Sequence, residues 1–244
     1  MNNKSLSAQY SDVLKNLDNS YLDPQHPVGK RSDGLSGLFL TSVSDKYHLA
    51  KNKIMIVGSE TAGWNVLKPN EQFTTLESYI EISMNKHQRF FERQLNGNNE
   101  RGNRFHNFTR SVANKCGKDG LIYSNLFCFD WNKGSPIHCP DFEVIKKYSE
   151  ALLKIQIENL EPQIIIFANG MTSVAQRREF FPIHGDNRVC TSRPNYCSDG
   201  IANHHLWEFD LHKNIRCYRI HHPSARAKEA KIARKFLINL LPSA

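Results

Sequence analysis

The stretch Lys53-Ile-Met-Ile-Val-Gly-Ser-Glu-Thr-Ala-Gly-Trp-Asn65 constrains this chain more than any other. Ile54 to Val57 are apolar without alternation, as in a strand covered on both faces, and such strands belong to parallel sheets flanked by helices. Gly58 breaks the run, Glu60 follows it, and Gly63 adds a second flexible point. Open α/β sheets bind their ligands outside the carboxyl ends of the strands. Glu60 therefore stands where a rigid strand end would present a carboxylate. The competing reading is a solvated acid in a surface turn.

The rest of the chain repeats the pattern of strand and helix. Leu6, Tyr10, Val13, Leu14 and Leu17 lie at helical spacing, and Asp23 to Gly37 reads as a long loop. Thr74-Thr-Leu-Glu77 matches a capping box. It predicts a helix with Leu76, Ile80, Met84, His87, Phe91 and Leu95 on one face, ended at Asn96-Gly-Asn-Asn99. A shorter helix over 104–115 closes at Gly117. Leu121 to Phe127 is a second strand-length run, and Gln163 to Ala168 is the clearest strand of all. Between them Asp141 can cap a helix carrying Val144, Tyr148, Leu152, Ile155 and Leu160, which Pro162 stops. Residues 182–203 have loop composition, and Ile215 to Ile220 is the last strand. His221-His-Pro-Ser224 leads into a final helix, with Ser224 as its expected N-cap. With no repeat and no linker, the expectation is one α/β domain over residues 1–244. Its largely parallel central sheet is flanked by helices, and the helix and loop of residues 1–50 form an N-terminal extension.

Charge narrows the partner. Lys and Arg total 32 against 24 Asp and Glu. The excess gathers in residues 86–118 and 213–235, which points to a polyanion, nucleic acid first. No apolar run approaches the ~20 residues of a membrane span, and the N-terminus lacks the apolar core of a signal peptide. Six scattered cysteines suit reduced thiols in a cytoplasm better than a secreted disulfide framework.

Two strand-end loops, Gly58-Ser-Glu-Thr-Ala-Gly63 and His222-Pro-Ser-Ala-Arg226, stand with Asn125 at the end of an intervening strand. In that order, with Ile164-Ile-Ile-Phe-Ala-Asn-Gly170, they resemble the uracil-DNA glycosylase superfamily over about residues 50–240. Each motif is short, and the ordered set is what carries the likeness. Thr61 replaces the family's usual proline, and Glu60 stands where the best-known branch has aspartate.

The resemblance implies a monomeric enzyme that flips a pyrimidine out of DNA and hydrolyses its N-glycosidic bond, using no metal or cofactor. Glu60 would stabilise the sugar cation and orient water, His222 would donate to the departing base, and Asn125 would read its edge. The base pocket would draw on Gly58, Ser59, Ala62, Gly63, Trp64 and Phe73, with Phe73 the first candidate to sandwich the base and Trp64 the second. Ser224, Arg226 and Lys228 would meet DNA, Arg226 as the wedge that fills the vacated stack. Neighbouring His221 leaves open which histidine faces the site.

No Cys-x-x-Cys pair supports the iron–sulfur cluster of one branch. A zinc set of Cys190, Cys197 and His204 or His205 is the other use of these thiols, though structural zinc favours closer pairs. Ala62 occupies the position where the most uracil-selective branch carries a wall-forming tyrosine. The expected substrate is accordingly a cytosine with a bulky 5-substituent, such as the glucosylated hydroxymethylcytosine of some phage genomes. Ordinary uracil repair and a catalytically inactive nucleic-acid-binding protein on the same fold are the alternatives.

Overall fold

The computed structural model describes residues 3–24, 34–68 and 70–244. Most of the loop expected between Asp23 and Gly37 falls outside these residues. The strands are β1 (Ile54–Gly58), β2 (Leu121–Asn125), β3 (Ile164–Phe167), β4 (Cys190–Ser192), β5 (Leu206–Leu211) and β6 (Ile215–Ile220). The helices are α1 (Asn3–Leu14), α2 (Leu76–Asn96), α3 (Arg104–Cys116), α4 (Phe142–Leu160), α5 (Val174–Phe180) and α6 (Lys228–Leu240). One six-stranded sheet in the order β2-β1-β3-β6-β5-β4 makes this an α/β domain.

The centre of the sheet follows from the sequence. β1 pairs in parallel with β3 and β3 with β6, so Ile54 lies beside Ile164 and Ile164 beside Arg216. All five residues of β1 are buried, as a run without alternation requires. Because the three strands run the same way, Gly58, Phe167 and Ile220 end at one edge of the sheet. The other side carries two strands that the sequence reading did not foresee. β5 and β4 add an antiparallel edge beside β6, so the sheet is mixed.

Contacts divide the chain into two compact units interleaved in sequence. The first comprises residues 1–43, 59–90 and 124–161, and the second 44–58, 91–123 and 162–244. In the first unit α1 buries Leu6, Tyr10 and Leu14, one turn apart, against α4. The Tyr10 hydroxyl donates to the Thr41 carbonyl at 2.9 Å, giving the buried phenol its partner. The second unit holds the core of the sheet, with α6 packed on β5, β6 and α3.

Two helix starts differ from expectation by their caps. α2 begins at Leu76, and it is Thr75, not Thr74, whose hydroxyl accepts the Ser78 N–H at 3.2 Å. Asp141 precedes α4 as expected but makes no side-chain cap. Among the described residues no helix is long and apolar enough to cross a membrane.

Candidate functional site

The carboxylate-bearing loop belongs to the first unit and is built around an acid that the sequence reading did not single out. Asp130 is 1% exposed. Its Oδ2 accepts from the Thr61 hydroxyl at 2.6 Å, the Gly63 N–H at 2.8 Å and the Trp64 N–H at 3.4 Å. Its Oδ1 accepts from the Lys133 N–H at 2.9 Å. A buried carboxylate is tolerated when its lone pairs are filled in this way. The threonine at position 61 now has a physical reason: its hydroxyl ties the loop to Asp130, a bond proline could not make. Gly63 sits at φ +84°, where a side chain is disfavoured, and a Cβ would also lie 3.4 Å from the Lys133 side chain.

Glu60, held by this loop, is half-buried, and the Ser59 hydroxyl donates to its Oε2 at 2.5 Å. Burial lifts its carboxyl above the ordinary value, and the charge of Asp130 adds to the rise against the opposing Ser59 bond. The loop is joined to the end of β2 by the Phe127 N–H, which donates to the Ser59 carbonyl at 2.8 Å. Asn125, the last residue of β2, is 5% exposed, and neither its Oδ1 nor its Nδ2 has a partner among the described residues. Ser59 and Glu60 are thus tied to the same strand end as Asn125.

The other first-loop residues fall into two groups. Ala62 and Gly63 are exposed. Trp64 is turned into the core of the first unit, its ring edge-on to Phe39 at 5.3 Å and to Phe90 at 5.7 Å. Phe73 is half-buried, 6.1 Å from the Tyr79 ring.

In the second unit the residues after β6 form a turn, and α6 starts only at Lys228 with Ala227 as its cap. Ser224 is therefore not the helix cap that the sequence suggested. Its hydroxyl lies 2.6 Å from His222 Nδ1, and its N–H donates to the same nitrogen at 3.2 Å. A nitrogen that accepts a backbone N–H carries no proton, so the proton of neutral His222 resides on Nε2, which is then a donor. Burial, then the charge of Arg234, holds His222 below the ordinary histidine value and keeps it neutral near pH 7.

Phe105 of α3, another residue the sequence reading passed over, stacks on the His222 ring at 5.8 Å and 22°. Gly170 approaches so closely that a Cβ there would lie 3.5 Å from His222 Cβ. Beside it Asn169, two residues beyond the end of β3, has both amide atoms buried and without a hydrogen-bond partner among the described residues. His221 instead joins His205, 5.1 Å away, and through it His204. Arg226 and Lys228 are exposed. Among the described residues no group of three or more His, Cys, Asp or Glu is arranged to hold a metal. Cys190 is buried against the Phe181 carbonyl while Cys197 is exposed.

The histidines set a pH dependence. Burial lowers His205, His221 and His222, and lowers His106 to about 4. The unfolded chain then binds more protons than the folded one between about pH 4 and 6.5, so stability is full above about 6.5 and falls as the pH drops. Glu60, lifted by burial, works the other way, as one group against four. The urea midpoint is expected to be clearly lower at pH 5 than at pH 7.5, and equal midpoints would show that these rings are not held neutral.

Compared with known proteins, the chain matches no protein-family model and no curated protein.

Proposed function

We propose that the protein is a monofunctional DNA glycosylase of the uracil-DNA glycosylase kind, acting as a cytoplasmic monomer without metal or cofactor. The observation that carries the reading is Asn125. A buried amide left without partners costs about 1–3 kcal/mol. An amide offers one donor and one acceptor face, the pair that a pyrimidine edge complements. The carboxylate comes from the loop tied to that same strand end.

In this reading the C1′–N bond breaks and its electron pair leaves with the base. The sugar, now positive, faces the Glu60 carboxylate, and water adds at C1′. A carboxylate lifted by burial is also the stronger base for the proton of that water. His222 donates from Nε2 to the carbonyl oxygen on which the base's negative charge develops, and needs no proton beyond the one it holds when neutral. Arg226, exposed beyond the histidine turn, fills the stack, while Ser224 and Lys228 meet phosphates.

Exposed Ala62 suggests the substrate. With Trp64 committed to the core, the loop puts up no wall against a 5-substituent, which favours bulky 5-modified cytosines such as those of hypermodified phage DNA. The test is free-base release from matched oligonucleotides carrying uracil, thymine, 5-hydroxymethylcytosine or its glucosylated form. The modified cytosines should leave fastest. Ala62→Tyr should slow their release by roughly 10-fold or more while sparing uracil. Uracil leaving fastest, with Ala62→Tyr without effect on the bulky bases, would make this a repair enzyme. Release of no base at all would leave only a binding protein.

A further inference from the structure

The two basic runs of the sequence meet in a place that the glycosylase reading does not use. In the second unit a cleft of about 360 Å³ lies between α3 and α6. Its cations are Arg104 from the first run and Lys231, Arg234 and Lys235 from the second. Lys231 and Lys235 are one helical turn apart, so both project from the same face of α6. Asn107 and Phe108 continue the α3 wall, and no carboxylate lines the cleft among the described residues.

The arginines show what is missing. The Arg104 Nη1 donates to the Ser224 carbonyl at 3.1 Å and the Arg234 Nη2 to the Ala225 carbonyl at 3.2 Å. Two guanidinium groups thus clasp adjacent carbonyls of one loop, like charges brought together with no acid between them. The Arg234 Nη1 is buried and has no partner among the described residues. Burial and the charge of Arg104 both press Arg234 below the ordinary arginine value. An anion in the cleft would relieve the repulsion and give that nitrogen its acceptor.

Size and lining select the anion. The volume lies in the range of about 300–1,000 Å³ typical of sites for small organic groups. Phe108, Pro223 and Ile238 supply apolar surface that a sugar covers and a bare inorganic ion does not. Lys231 and Lys235 are exposed at the rim, where a chain can enter and leave. We infer that the α3–α6 cleft binds one backbone phosphate and its sugar from a DNA strand, and that this contact steadies the loop carrying His222. The identity of the strand as DNA rests on the glycosylase reading; the anion site itself rests on the charges and the unpartnered guanidinium.

The experiment measures single-stranded oligonucleotide affinity by fluorescence anisotropy against salt for wild type, Lys231→Ala/Lys235→Ala, and a control pair outside the cleft, Lys46→Ala/Lys213→Ala. Inorganic phosphate and thymidine monophosphate are titrated separately. All four lysines are exposed, so neither pair should disturb folding. The cleft pair should lose about 10-fold in strand affinity at 0.1 M salt and reduce the salt slope by about 1–2, with the control pair close to wild type. Equal losses in both pairs would reduce the effect to overall charge and overturn the inference. So would an unchanged strand affinity in the cleft pair with loss of thymidine monophosphate binding, which would assign the cleft to a free small phosphate. These outcomes are read from binding alone. The inference can therefore fail while base release stands, and base release can fail while the strand contact stands.

Discussion

Replacing Glu60 by Gln is expected, on the proposed glycosylase reading, to lower single-turnover base release by on the order of 10²-fold or more and to leave strand affinity within about twofold. The substitution keeps the shape of the side chain and still accepts the Ser59 hydroxyl, so the loop is undisturbed. On the proposed glycosylase reading, what it removes is the negative charge that would face the sugar cation, worth most in a half-buried setting where water screens it poorly. The same environment gives a second signature. Since burial lifts the Glu60 carboxyl, the wild-type rate should rise with pH through a value above the ordinary carboxylate range, and the Gln variant should lose that rise. Base release by Glu60→Gln within about a factor of two of wild type would move the catalytic carboxylate elsewhere.

Asp130→Ala is expected to destabilise the protein by about 3 kcal/mol or more, the range for leaving several buried donors without their charged partner. The Thr61 hydroxyl and the N–H groups of Gly63 and Lys133 all lose their acceptor at once. Urea unfolding measures this, and a loss below about 1 kcal/mol would mean that the loop is held by other means. Asp130→Asn separates support of the loop from survival of the fold. An amide has one acceptor oxygen where the carboxylate has two, so an N–H₂ group must face either the Thr61–Gly63 donors or Lys133. That variant should stay folded and still lose base release by about 10-fold, because the loop holding Glu60 is no longer drawn to a single position. Full activity in a folded Asp130→Asn protein would remove Asp130 from the positioning of Glu60.

The strands that were legible in the sequence are those whose side chains announce burial on both faces. Ile54–Val57 and Ile164–Phe167 are apolar enough to be read with no knowledge of their partners, and β6 was read from Ile215, Cys217, Tyr218 and Ile220 despite Arg216 and Arg219. β5 escaped because Glu208 and Asp210 interrupt Leu206–Leu211, and both acids pair with Arg193 across the sheet edge, a contact that no local pattern displays. Its turn to β6 gave no warning either: His212 and Lys213 adopt positive φ, +51° and +68°, where Asn-Gly would be the usual signal. The site divides in the same way. Glu60, Asn125 and His222 were singled out because strand ends are where an α/β sheet keeps its chemistry. Asp130 and Phe105 could not be, since one lies in a polar loop and the other on a helix, and the contacts that tie them to Thr61, Gly63 and Trp64 and to His222 cross long stretches of sequence. Ser224 looked like a helix cap because serine before a helix usually is one; here its N–H and hydroxyl both turn to His222.

The interleaving of the two units has a consequence for how the chain is made. Ile54 finds its β3 neighbour only at Ile164, a wait on the order of 5 to 20 s for roughly 110 residues at ordinary rates of synthesis. Throughout that interval β1 lacks at least one of its two sheet neighbours, β2 and β3. β6, which completes the centre, follows more than 40 residues later still. The nascent chain thus carries an unpaired edge until β3 and then β6 are made, which favours slow translation at low temperature and free holdase capacity when the protein is produced in quantity.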